Sequence, residues 1–396
     1  AISYEKRKIP MTQTIRVALA GAGAFGIKHL DGIRKIDGVE VVSLVGRRRE
    51  PTQEIANQYG IAHVATDLAE SLARPEVDAV ILCTPTQMHA SQTIQCMRAG
   101  KHVVTANKQL VCAHFRELAQ AAEEHGVQLR YTASAGGGVP WLFNLLRAKR
   151  LDEIEAISGS INGTCNFILG NMHKHKAQLA EVLAEAQRMG YAEADPAADI
   201  DGLDQQRKCA ISATLAFSAL VPEERVDTAG IRHISAADIA WAESRGFVCK
   251  LMMHCRRESA GLTAYVEPTL LPAGLPEANL PVRSSIATLH GKYIGRLSFF
   301  GAGAGTLPTG MNMMQDAMDI CLGVGEVQNY AEDAQIDNAL AVHPYYVRGE
   351  AKLPGVGEQG DGWAVTVPIS VSAMHTLARE AAQEGRPLFF AGIEEE

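Results

Sequence analysis

Ile15 to Gly26, read as IRVALAGAGAFG, is the stretch that decides the fold. Its first six residues are an apolar run of strand length that leads directly into Gly21-Ala-Gly23-Ala-Phe-Gly26. A helical pattern follows to about Ile36, and a second strand covers Val39 to Val45. Strand, glycine turn, helix and strand is the context in which GxGxxG becomes informative. Gly21 permits the tight turn, and Gly23, with Ala24 and Phe25, brings backbone N–H groups up to a pyrophosphate. Gly26 lets the helix pack close to the strand, with its N-terminus facing the anion.

The residues after the second strand select the nucleotide. An NAD enzyme places Asp or Glu there to hold the ribose 2′-hydroxyl, but this chain reads Gly46-Arg47-Arg48-Arg49. Guanidinium groups at that point suit a 2′-phosphate, so Arg47 and Arg48 are expected to favour NADP(H) over NAD(H). Strand and helix patterns then alternate. Val80–Cys83, His102–Thr105 and Gln128–Ser134 read as strands, and Met88–Ala99 and Ala113–His125 as helices. That alternation implies a doubly wound parallel sheet with right-handed crossovers. Thr84 and Pro85, at the end of one strand, are expected to flank the cofactor. Gly136-Gly137-Gly138, between a strand and Pro140, is either a flexible turn or a point of close backbone approach.

Composition narrows the class. The chain has 396 residues, 47% hydrophobic and 21% charged, which is enough for two or three domains with full cores. A net charge of -8, with Arg47–Arg49 as its basic run, does not suit a nucleic-acid surface. No eighteen-residue apolar run is present, so no membrane span is expected. The opening residues AISYEKRKIP lack the apolar core of a signal peptide, and Met11 is read as the natural start. Eight cysteines without a CxxC pair point to reduced, packed thiols and a cytoplasmic protein. The histidines show no metal spacing.

Gly190 to Lys208, GYAEADPAADIDGLDQQRK, holds the densest chemistry. Glu193, Asp195, Asp199, Asp201 and Asp204 precede Lys208, and Pro196 and Gly202 make the first half a loop. A helix is expected from Leu203, with Cys209, Ala213, Ala216 and Leu220 on one buried face. Asp204 and Lys208 lie four apart on one side of that helix, and Ile211 and Leu215 continue that side, as on a face that is not freely solvated. Carboxylates suit a substrate ammonium, and a lysine beside them can move a proton to or from an oxygen. A solvated ion pair on an exposed helix would give the same local pattern.

Two family resemblances follow. GAGAFGIKHLDGI, TDLAESLARPEVDAVILCTPTQMHA and CMRAGKHV, within residues 15 to 103, resemble the Gfo/Idh/MocA oxidoreductases, and among them the 4-carboxy-2-hydroxymuconate-6-semialdehyde dehydrogenase group. The Glu-Lys-Pro motif of that family is replaced by Val104-Thr-Ala-Asn-Lys108. From there the chain is similar to homoserine dehydrogenases. The similarity rests on TANK, YTASAGGGVP (131–140), INGTCNFIL (161–169), the stretch 190–208 and GAGAGTLPT (301–309). It implies that Lys208 transfers the proton and that Lys108 is a second lysine at the reacting centre, beside the cofactor. It implies a substrate site of Glu193 and Asp204 with Asp199, Tyr191 and Thr164, and a cofactor bordered by Gly190 and Gly303. The family places a sodium-binding glutamate after the tyrosine of the 131 segment. Thr132 stands there in this chain, so Ala135, Gly137 and Val139 would offer only carbonyls, and at most a weak sodium site is expected.

The expected architecture is a Rossmann domain (12–145) followed by an α+β substrate-binding and dimerisation domain (146–300) with a mixed or antiparallel sheet. A segment returning to the nucleotide half (301–330) and a C-terminal extension (331–396), too short for the complete ACT domain of many relatives, would follow. The expected activity is NADP(H)-dependent interconversion of L-aspartate 4-semialdehyde and L-homoserine by a homodimer. The alternatives are a Gfo/Idh/MocA-type dehydrogenase acting on a hemiacetal or sugar-like substrate, and an inactive NADP-binding sensor.

Overall fold

A computed structural model of the chain describes residues 14–281, 284–324, 330 and 332–394. The opening residues, Met11 included, and the expected domain limits at 12 and 331 lie outside the described residues. The chain forms two compact units. Of the described residues, one comprises 14–103, 114–129 and 324, and the other 104–113, 130–281, 284–323, 330 and 332–394.

In the first unit the expected alternation forms: β1 (Ile15–Ala20), α1 (Ala24–Ile33), β2 (Val39–Val45), α2 (Arg49–Tyr59), β3 (His63–Ala65), α3 (Leu68–Leu72), β4 (Ala79–Leu82) and α4 (Thr86–Arg98). Its four strands run parallel in the order β3-β2-β1-β4. The order reverses between β1 and β4, and the glycine turn leaves β1 at that switch point. Leu19, Leu30, Leu44, Ala56 and Val64 form the core beneath it. The short β3 and α3 carry too little periodicity to have been read from the sequence.

The chain passes between the units along β5 (Val103–Val104), α5 (Lys108–Glu124) and β6 (Leu129–Arg130). α5 starts earlier than its apolar pattern suggested, because the Asn107 side-chain oxygen accepts the Leu110 N–H (3.1 Å) and caps the helix. It is broken at His114, whose φ of -132° is not helical. The strand expected over Gln128–Ser134 stops at Arg130. Thr132–Ser134 is instead a single 3₁₀ turn, closed where the Tyr131 carbonyl accepts the Ser134 N–H (2.9 Å) and hydroxyl (2.6 Å).

The second unit continues with α6 (Trp141–Ala148), β7 (Ile154–Ser160), α7 (Gly163–His175), α8 (Leu179–Arg188), α9 (Ala197–Ile200), α10 (Leu203–Phe217), β8 (Asp227–Thr228) and α11 (Ala236–Ser244). It goes on through β9 (Phe247–Glu258), β10 (Gly261–Pro272), β11 (Ser284–Gly291), β12 (Gly295–Ala302) and α12 (Thr306–Cys321). Its last elements are β13 (Val342–His343), β14 (Tyr345–Arg348), β15 (Val356–Gly360), β16 (Trp363–Thr366), β17 (Ile369–Ser370), α13 (Val371–Gln383) and β18 (Phe389–Ile393). Its main sheet runs β12-β11-β7-β9-β10-β18-β14-β16-β15, with β8 also on β10. Most neighbours are antiparallel, while β8 and β18 pair with β10 in parallel. The C-terminal residues therefore extend this sheet.

α10 is the helix this unit is built around. Lys208 and every residue from Cys209 to Phe217 are buried, including Ile211 and Leu215 on the side shared with Lys208. A helix enclosed all round cannot present a solvated ion-pair face. Trp141, fully buried in α6, anchors it, its indole N–H donating to the Ser212 hydroxyl (2.9 Å). Within the segment 301–330 expected to return to the nucleotide half, α12 forms. It meets Thr132 and Gly137, a segment that folds with the second unit and not with the glycine-turn sheet.

Candidate active site

The centre is assembled on the first two turns of α10. Gly202 caps that helix from the left-handed region (φ 83°), so the chain turns abruptly out of α9 and projects Asp204 in the first turn. Lys208, one turn on, reaches back to Asp204 Oδ2 (2.7 Å). Lys108, the first residue of α5, reaches Asp204 Oδ1 (2.9 Å). One carboxylate thus sits between two ammonium groups. Burial opposes its ionisation, yet Lys208 and Lys108 outweigh it and hold the carboxyl well below the usual carboxylate range. Lys208 also donates to the Ile161 carbonyl (2.7 Å), which fixes its direction. The Lys108 side chain stays one-third exposed, so the cluster is open on that side.

The residues around it come from the turn between β7 and α7. Asn162 caps α7, its oxygen accepting the Cys165 N–H (2.8 Å). Its amide nitrogen donates to Asp199 Oδ1 (2.7 Å) and to Asp204 Oδ2 (2.9 Å). Sequence reasoning did not single out this residue, although an Asn three residues before Cys165 is an N-cap signal. Thr164 donates to the Tyr191 carbonyl (3.0 Å), and the Tyr191 ring meets Phe167 edge-on. Gly190 takes φ 71° just after α8.

The five acids of the stretch separate in the structure. Asp199 and Asp204 meet through Asn162, whereas Asp201 forms a two-pronged pair with Arg232 (2.6 Å on each arm) and Asp195 accepts the Ala197 N–H (3.1 Å). Glu193 is exposed, with its backbone carbonyl accepting from Gln187 (3.0 Å).

In the first unit, the glycine turn has the shape a pyrophosphate requires. A Cβ on Gly26 would lie 1.8 Å from the Gly21 carbonyl oxygen, and one on Gly21 would lie 2.5 Å from that of Cys83. Around Gly23 there is open space, at the N-terminus of α1. Residues 21–26 therefore fit a dinucleotide, the backbone N–H groups of Ala24 and Phe25 lying at that helix end. Arg47 and Arg48 are exposed at the end of β2, and Arg48 caps α2. The Thr84 hydroxyl donates to Gln92, and the Thr84 carbonyl meets His89 Nε2 (2.8 Å); Pro85 is the N-cap residue of α4.

The glycine run 136–138 makes a close approach within the second unit. A Cβ on Gly137 would lie 2.3 Å from the Gly303 carbonyl oxygen, and the Gly138 N–H donates to the Ala302 carbonyl (3.1 Å). Asn312 donates to the Gly137 carbonyl (2.9 Å), while the Thr132 N–H and hydroxyl both reach Asp316 (3.0 and 2.8 Å). Of the set considered for sodium, Thr132 thus already bonds Asp316, the Gly137 carbonyl accepts from Asn312, and the Val139 carbonyl accepts the Trp141 N–H (2.7 Å). This turn suits a sodium ion poorly. Asp316 lacks the paired lysines of Asp204, and burial pushes it up to about 6 despite the Thr132 bonds.

Comparison with known proteins decides the family. The homoserine dehydrogenase family model matches residues 140–318, and the oxidoreductase family model with an NAD-binding Rossmann fold matches residues 15–133. A homoserine dehydrogenase from Corynebacterium glutamicum is 40% identical, over 77% of this chain and 71% of the relative. One from Synechocystis is 33% identical, over 84% of this chain and 79% of the relative. The chain belongs to the homoserine dehydrogenase family. It is accordingly an NAD(P)-dependent oxidoreductase. A crystal structure of a homoserine dehydrogenase from Thiobacillus denitrificans superposes with a TM-score of 0.79 at 28% identity, covering 97% of this chain and 99% of that one. Both resemblances read from the sequence are thereby upheld. No helix among the described residues of the enzyme is long and apolar enough to cross a membrane.

Proposed function

We propose that the enzyme reduces L-aspartate 4-semialdehyde to L-homoserine with NADPH, and that Lys208 delivers the proton. The observation that supports this reading most is Asp204 held between Lys108 and Lys208. Bound cofactor supplies the hydride. Lys208 gives a proton to the aldehyde oxygen as the carbonyl becomes an alcohol, and takes it back in the reverse direction. Asp204 keeps both ammonium groups turned towards that oxygen. Asp199 and Asp204, with Glu193 at the rim, attract the substrate ammonium, and Tyr191 and Thr164 shape the wall beside it. Gly21, Gly23, Ala24, Phe25 and Gly26 take the pyrophosphate, Arg47 and Arg48 the 2′-phosphate. Thr84, Pro85, Gly190 and Gly303 border the remainder of the cofactor. Asn312 and Asp316 brace the 132–139 turn by hydrogen bonds in place of a sodium ion. The working form is a cytoplasmic homodimer.

NADPH absorbance, followed with the purified protein, tests the reading. Consumption is expected with L-aspartate 4-semialdehyde and not with hemiacetals or without substrate. Consumption with a hemiacetal alone would support a Gfo/Idh/MocA-type dehydrogenase, and none with either substrate an inactive binder.

A further inference from the structure

We propose that Asn162 is a positioning residue for the homoserine dehydrogenase reaction, clamping Asp199 beside Asp204 so that Asp204 holds the two lysines while the open oxygen of Asp199 faces the substrate ammonium. This rests on the assignment of Asp204 and Lys208 to the reacting centre. Asn162 is 2% exposed, and its whole side chain is committed. Both amide hydrogens go to carboxylates, one to Asp199 and one to Asp204, and the oxygen accepts the Cys165 N–H. Rotating the amide by half a turn would set its oxygen against two carboxylates and its NH₂ against an N–H donor. The orientation is therefore fixed by chemistry.

Two carboxylates within reach of one nitrogen repel each other, and an unbridged pair of this kind tends to share a proton. Lys108 and Lys208 both go to Asp204, so Asp199 gains no cation from them. Its Oδ1 is occupied by Asn162, and its Oδ2 holds no partner among the described residues. The arrangement leaves one neutralised carboxylate for the lysines and one negative oxygen for an incoming ammonium. Asn162 supplies the neutral donor that lets the two coexist without a bound cation between them.

The same turn also sets the lysine. The Ile161 carbonyl accepts Lys208 Nζ, and the Ile161 N–H donates to Gln205 Oε1 (3.2 Å). Gln205 is fully buried, and its amide donates to the Leu251 carbonyl of β9 (2.9 Å). The Ile161–Asn162 pair is thereby tied to Gln205, Asp204 and Lys208 of α10, and the tie to Gln205 continues to the sheet. A shift of Asn162 would move the carboxylates relative to the amine that acts on the substrate.

Capping and clamping separate by substitution. Asn162→Asp and Asn162→Ser both retain an oxygen that caps α7, but neither can donate to two carboxylates at once. Asn162→Asp also adds a third negative group. Homoserine oxidation is measured across pH for both variants and for Lys208→Ala, with thermal melting and cofactor titration alongside. Expected for both Asn162 variants are wild-type cofactor affinity, a KM for homoserine raised roughly 10–100-fold, and an acid limb of kcat/KM displaced to higher pH. The displacement should be larger in Asn162→Asp. Should one variant fail to fold, the other carries the test. Wild-type KM and pH profile in a folded variant, with Lys208→Ala impaired, would leave Asn162 a helix cap only. Wild-type turnover in Lys208→Ala would instead overturn the assignment of the centre itself.

Discussion

Asp204, largely enclosed, and Glu267, fully buried, are two carboxylates of the second unit in different company. Asp204 sits between the flexible amines of Lys108 and Lys208, and the Lys108 side chain is 34% exposed. Glu267, on β10, is 1% exposed and sits between His343 (3.0 Å) and His375 (2.9 Å), with the Tyr345 hydroxyl donating to it (3.2 Å). The rings around Glu267 are packed together, His343 on Tyr345 at 4.5 Å and His375 on Phe390 at 5.2 Å. Both acids are held ionised against burial: Asp204 well below the usual range, Glu267 down to about 2 by the two histidines. What separates them is access and the freedom of the partners. Amines on long stems beside an opening can exchange a proton with a ligand. Imidazoles locked in a ring stack join β13 and α13 to β10, and so fix the C-terminal extension to the sheet.

The largest effect expected from this contrast is on turnover. Lys208→Ala should lower kcat by roughly 10²–10⁴ with cofactor affinity retained, read from NADPH absorbance and a fluorescence titration. Glu267→Ala should do the reverse. It strands two histidines and a tyrosine, and is expected to cost about 3–5 kcal/mol of stability in urea unfolding while turnover per folded molecule persists. A loss of turnover without a loss of stability there would break the comparison.

Acid sharpens it. The folded pKa of Glu267 lies below its ordinary 4.5, so its contribution is complete above about pH 4.5 and is lost as pH falls towards about 2. A shift of that size is worth about 3 kcal/mol. Urea midpoints between pH 5 and pH 2.5 should therefore fall more steeply in the wild type than in Glu267→Gln.

A smaller effect is expected at the nucleotide. Replacing Arg47 and Arg48 together by alanine should raise the KM for NADPH about tenfold or more and leave that for NADH nearly unchanged. Equal changes for both cofactors would remove the 2′-phosphate from the reading of these arginines. The smallest effect concerns Asp316, a buried carboxylate bonded to Thr132, whose hydroxyl also meets Asn312. Exchanging sodium for choline at constant ionic strength should leave the melting temperature unchanged. A sodium-specific rise would put an ion at the 132–139 turn.

These regions were unequally legible in the sequence. The glycine turn was plain, because its spacing and its flanking strands are local. Asp204 and Lys208 were plain as an i,i+4 pair, and Ile211 and Leu215 pointed to a covered face, although Gln206 and Arg207 disguise how fully the helix is enclosed. Lys108 joined them only through the family resemblance, lying nearly a hundred residues away. The acidic stretch overstated the site, because Asp195 and Asp201 serve a turn and Arg232. Asn162 was hidden by its ordinary look as a helix cap. Glu267 had no sequence signal, for its histidines lie 76 and 108 residues further on.

The central claim is that an amine at position 208 moves the proton, and chemical rescue tests it most directly. Turnover of Lys208→Ala with L-aspartate 4-semialdehyde and NADPH is measured against methylammonium concentration. The expected result is a low rate without amine that rises with its concentration. Wild-type turnover without amine, or a deficit that no amine relieves in a folded variant, would contradict it.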